Sequence, residues 1–171
     1  LLAAKANRSE AGNWMPLGPI LDGQTSRVDI PGVGRTNAIA FHPTDPNVMF
    51  VGAPSGGLWR TYDGGGTWVS NTDQLPTLGV SAIVFDPINP NIVYIGTGDR
   101  DAADAPGLGV MRSTDGGISW ELANDGIQNK TVSAMLVNPD NTDMVFAATN
   151  QGVYRSLDGA ATWNLVSNTM N

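Results

Sequence analysis

A chain of 171 residues, 41% hydrophobic and 15% charged, is long enough to bury one core of ordinary size. Its 21 glycines and 11 prolines suit short strands joined by tight turns and argue against a helical bundle. A net charge of −7 makes nucleic acid a poor partner, and the lack of cysteine excludes disulfides and thiolate chemistry.

Residues 1–12 read as a polar leader. Leu1-Leu2-Ala3-Ala4-Lys5-Ala6 has the flavour of the end of a signal segment but is too short to be one, and no apolar run approaches a membrane span. A lone outer strand is expected over 13–20, around Trp14, followed by a long glycine-containing loop over 21–34. Three similar units follow, over 35–72, 79–125 and 130–168. Their first strands are Asn37–Phe41, Ser81–Phe85 and Ser133–Val137, each closed by a proline-bearing turn at His42-Pro43, Asp86-Pro87 and Asn138-Pro139. Second strands run Val48–Val51, Ile92–Ile95 and Met144–Ala147, and third strands Gly57–Arg60, Gly109–Arg112 and Gly152–Arg155. A fourth strand is expected to begin at Trp68, Trp120 and Trp163.

Before each of these tryptophans stands one recurring box, Ser/Thr-x-Asp-Gly-x-x-Ser/Thr-Trp. It covers Thr61–Trp68, Ser113–Trp120 and Ser156–Trp163, and its aspartates lie 52 and then 43 residues apart. Asp63, Asp115 and Asp158 suit a turn that accepts its own backbone N–H groups, the glycine that follows each (Gly64, Gly116 and Gly159) tolerates a positive φ, and Gly65 and Gly117 belong to the structural box as well. The tryptophans are expected to cover the turn and pack at the edge of the unit. Four short antiparallel strands in about 44 residues describe one blade of a β-propeller. The fold expected is therefore all-β, with about three blades plus one outer strand. Closed rings have about four blades or more, so the remaining blades are expected from the same longer chain or from another chain.

In such a fold the boxes mark one end of the blades. Ligand sites usually occupy the other end, at the turns between second and third strands. That turn is short from Gly52 to Gly57 and from Ala148 to Gly152, but long from Gly96 to Gly109. The insertion holds Asp99, Asp101 and Asp104 beside Arg100. It reads either as a solvated acidic loop in which Arg100 pairs internally, or as a site where the three carboxylates hold Ca²⁺. Arg35, near the expected axis, and Arg100 are candidate ligand contacts. His42, the only histidine, aligns with Asp86 and Asn138 and so reads as a turn residue rather than a general base. Arg60, Arg112 and Arg155 share one position and read as solvated or as bracing the boxes.

The boxes resemble the Asp-box, or bacterial neuraminidase repeat. That repeat occurs in sialidases, sortilin-type receptors, xyloglucan-degrading glycoside hydrolases and a photosystem II assembly factor. Asn13–Pro19, Gly34–Pro43 and Ser55–Arg60 further resemble large secreted propeller proteins of Bacteroidetes exported by the type IX system. The resemblance implies the propeller fold and export to the cell surface or medium. Two departures weigh against catalysis. Pro54 stands where the xyloglucanase resemblance would place a catalytic aspartate, and Arg27-Val28-Asp29-Ile30-Pro31 does not match the sialidase Arg-Ile-Pro segment. The function expected is a non-catalytic binding or scaffold module for protein or carbohydrate. The alternative is the N-terminal part of a glycoside hydrolase whose catalytic residues lie elsewhere.

Overall fold

A computed structural model describes residues 35–70, 72–103 and 105–168. The leader over 1–12, the expected outer strand over 13–20, the loop over 21–34 and Asp104 fall outside these residues.

Three four-stranded antiparallel sheets form among the described residues, each with its strands in chain order. The first contains β1 (Ala38–Phe41), β2 (Met49–Gly52), β3 (Leu58–Thr61) and β4 (Val69–Ser70). The second contains β5 (Val80–Phe85), β6 (Val93–Thr97), β7 (Val110–Ser113) and β8 (Glu121–Leu122). The third contains β9 (Val132–Val137), β10 (Val145–Thr149), β11 (Gly152–Ser156) and β12 (Asn164–Ser167). β1 packs beside β5 and β5 beside β9, so the first strands of the three sheets lie innermost.

Two cores hold the sheets face to face. Phe50 and Leu58 of the first sheet meet Phe85, Val93, Ile95 and Met111 of the second. On the other side of the second sheet, Tyr94 and Val110 meet Val137, Val145, Ala147 and Tyr154 of the third. Non-directional burial of apolar surface is what stacks such sheets. Every residue of β6 is buried, because it has a neighbour on both faces. β2 and β10 keep an alternating pattern instead, each having one face against the second sheet.

The turns after the first strands behave alike despite their different residues. His42 Nδ1 accepts the Thr44 and Asp45 N–H groups, Asp86 Oδ1 those of Ile88 and Asn89, and Asn138 Oδ1 that of Asp140. His42 is thus a turn brace, with its ring edge-on to Phe85 at 5.5 Å.

In each box the hydroxyl at the first position and the carboxylate at the third lock the turn. Ser113 Oγ donates to Asp115 Oδ1 at 2.7 Å and accepts the Gly117 N–H at 2.8 Å. Asp115 in turn accepts the Ser119 N–H and hydroxyl at 2.9 and 2.6 Å. Thr61 with Asp63 and Ser156 with Asp158 repeat the arrangement. Gly64, Gly116 and Gly159 adopt positive φ as expected, and so do the residues after them, Gly65, Gly117 and Ala160.

Two expectations need correction. The fourth strands start one residue past each tryptophan, at Val69, Glu121 and Asn164. At the third box the physical reason is visible, for the Trp163 N–H bonds the Asp125 carbonyl of the preceding linker, away from β11. Trp120 and Trp163 also do more than cover their own turns. Trp120 packs on the core shared with the first sheet, and buried Trp163 donates its indole N–H to Ala123 O at 2.8 Å.

Candidate functional site

The end of the sheets opposite the boxes collects the starts of β1, β5 and β9 and the turns leading into β3, β7 and β11. Polar residues recur there in an otherwise apolar column, at Asn37, Ser81 and Ser133. Register shifts pass over Ser81 in β5 and Ser133 in β9, forming bulges that lift each serine out of the ladder. The Ser81 hydroxyl becomes a hub. It donates to Gly98 O at 2.6 Å and accepts the Asn37 side-chain amide at 3.1 Å and the Arg100 N–H at 3.3 Å.

The insertion after β6 is a pinned loop. Thr97 Oγ1 donates to Gly109 O at 2.7 Å and accepts the Leu108 N–H at 2.8 Å, closing the base of the loop. Thr149 makes the same hydroxyl contact to Gly152 O in the third sheet at 2.8 Å. Farther out, the Asp99 N–H bonds Ala105 O, and Pro106 O accepts the Thr77 hydroxyl at 3.0 Å. Gly98, at φ 103°, lies so close to Gly107 and Thr131 that a side chain there would collide with both.

Of the five charged residues singled out at this end in the sequence, the four that are described take different roles. Asp99 is buried rather than solvated, and its Oδ2 forms an ion pair with Arg35 at the start of the first sheet. Its Oδ1 accepts the Asp101 N–H at 3.1 Å and the Asn37 amide at 3.3 Å. Arg100 pairs within the loop, as one reading of the sequence expected, its partner being Asp101. Its guanidinium reaches across two sheets, donating to Ser133 O at 3.3 Å and Ser81 O at 3.5 Å, while Nε stands 3.6 Å from Asp101. The side chains of Arg35 and Arg100 stay 42% and 37% exposed, leaving donor capacity toward solvent.

Among the described residues no three acidic or histidine side chains gather as a metal would need. Asp104, the third member of the expected cation set, falls outside them. Asn37, Ser81 and Ser133 were not singled out as site residues from sequence. Their signal was the shared polar column, together with the strand starts it marks.

The box aspartates face the opposite end and are tuned differently. Hydrogen bonds from Ser119 hold Asp115 down to about 2 from an ordinary 3.8, and Thr162 does the same for Asp158. Asp63 is lowered to about 2 by Thr67. Acceptors satisfied so fully within their own turns are structural.

Solved structures share this architecture. An ancestral GH74 enzyme superposes with a TM-score of 0.68 at 27% identity, covering 80% of this chain and 19% of the enzyme. The three sheets are blades of a β-propeller. The GH74 enzyme of Niastella koreensis matches at a TM-score of 0.59 and 20% identity, over 77% of this chain and 22% of its own. YCF48 bound to D1 peptide matches at 0.58 and 20%, over 80% and 42%. The chain thus spans about a fifth of the length of the GH74 enzymes. No family model and no curated protein matches it.

Proposed function

We propose that these blades belong to an exported bacterial propeller of the Asp-box type that binds a ligand and does not cleave it. The ligand meets the end opposite the boxes, around Arg35, Arg100 and Asp101. One observation carries this reading. Asp99, the buried carboxylate of the inserted loop, is already neutralised by Arg35, while the Arg100 guanidinium spans two blades and remains part-exposed. Glycoside hydrolysis needs two carboxyl groups flanking a bond, one of them free to exchange a proton. A guanidinium with partly free donors suits recognition of carboxylates and carbonyls instead. A segment of protein with acidic or C-terminal carboxylate groups is the ligand chemistry this favours, and carbohydrate is the second class.

The likeness to an ancestral GH74 enzyme supports a different reading, in which these blades are the start of a glycoside hydrolase with its acids elsewhere. A single experiment separates the two. The chain is titrated with short acidic peptides bearing a free C-terminus and with xyloglucan oligosaccharides, and the saccharides are then analysed for cleavage. The binding reading expects saturable peptide binding that weakens about tenfold or more in Arg100→Ala, with the sugars intact. Cleavage of the oligosaccharides, or peptide binding indifferent to Arg100, would overturn it.

A further inference from the structure

We propose that Asp101 is a built-in competitor for the ligand, standing before the same fork of Arg100 that a ligand carboxylate would use. The proposal rests on the reading of this end as a ligand site and adds the group that limits its affinity.

A guanidinium holds its N–H donors in fixed directions, so the bonds it already makes decide which edge is left for a ligand. Arg100 Nη1 faces the blades, donating to Ser133 O at 3.3 Å and to Ser81 O at 3.5 Å. The edge that remains is formed by Nε and Nη2, and such an edge takes a carboxylate side-on through two parallel bonds. Among the described residues Nη2 has no hydrogen-bond partner. Nε has one neighbour of opposite charge, Asp101 Oδ2 at 3.6 Å. At that distance the two charges attract, but no hydrogen bond forms. The fork is covered by a carboxylate and not bonded by it.

The loop holds this carboxylate near the fork through its backbone alone. The Asp101 N–H donates to Asp99 Oδ1 at 3.1 Å, and Asp99 is buried and paired with Arg35. The Ala103 N–H closes back on Asp99 O at 3.2 Å. The Asp101 side chain, by contrast, is 49% exposed and accepts no hydrogen bond among the described residues. It can turn into solvent about its own torsions while the loop keeps its shape. A ligand carboxylate that makes the two short bonds Asp101 lacks therefore displaces it without rebuilding the site. Competition of this kind lowers the apparent affinity by the fraction of molecules in which the fork is open. An exposed ion pair shifts an equilibrium by about fivefold at most, so Asp101 tempers binding and does not abolish it.

Calorimetric titration with a short acidic peptide bearing a free C-terminus tests this on the wild type, Asp101→Asn, Arg100→Lys and the double variant. Asp101→Asn keeps the size of the side chain and the backbone tether, so its melting temperature is expected to match the wild type. It is expected to bind the peptide about twofold to fivefold more tightly. Arg100→Lys keeps the charge and loses the fork, so in that background Asp101→Asn is expected to bring no gain. Equal or weaker binding by Asp101→Asn would overturn the competitor. So would a gain of the same size beside Lys at position 100, which would mark a general effect of charge. Peptide binding by none of the four proteins would instead overturn the ligand reading, and the competitor with it.

Discussion

Asp63 and Asp158 are exposed and Asp115 is half-buried, yet the acidity of all three is set by the turns they close. Each accepts the N–H and the hydroxyl of the Ser/Thr four residues on, which favours the charged form and lowers the carboxyl from 3.8 to about 2. A group whose folded value is depressed contributes stability above its unfolded value and loses it as pH falls through the folded one. The contribution is therefore whole above about pH 4 and shrinks toward pH 2. Thermal melting followed over that window is expected to show a steep fall in the wild type. Asp115→Asn is expected to melt lower at neutral pH and to show a shallower fall, since one of the three titrating boxes is gone. An unchanged slope would mean the boxes do not govern acid stability. Ala160 shows how tolerant the turn is, holding φ 73° where the other boxes have glycine.

At the scale of single elements, the strands were legible and the site was not, for one physical reason. A strand of a propeller blade is written locally, in four to six apolar residues bounded by a turn. Three aligned copies removed the ambiguity that one such run would carry. The strand-four boundaries were misplaced because the tryptophan backbone still belongs to the turn. The ion pair between Arg35 and Asp99 joins residues 64 apart in sequence, and no periodicity announces such a partner. The long insertion after β6 was visible as unequal spacing, and residues 100–103 are exposed as a solvated loop would be, but the burial of Asp99 within it was not legible. Asp99→Ala tests that burial. It takes away the acceptor of the Asp101 N–H, the carboxylate paired with Arg35 and one of the two acceptors of the Asn37 amide, and should destabilise the protein by about 1–3 kcal/mol. A solvated loop, as one reading of the sequence had it, would leave the melting temperature unchanged.

Across the whole molecule the blades divide labour between their ends. The box end is closed on itself by hydrogen bonds within each turn and by Arg60 and Tyr94 from the neighbouring blade. The other end places donors on strand starts, around a hub in which Ser81 ties Asn37, Gly98 and Arg100 together. On the proposed reading, donors borne on strand starts and a pinned loop are positioned before the ligand arrives, which would lower the ordering cost of binding. Amide hydrogen exchange with and without a saturating acidic peptide tests this division most directly. The account predicts that added protection falls on Thr97–Leu108 and the starts of β1, β5 and β9, and that the three boxes exchange as before. Protection concentrated on the boxes, with the inserted loop unaffected, would contradict it.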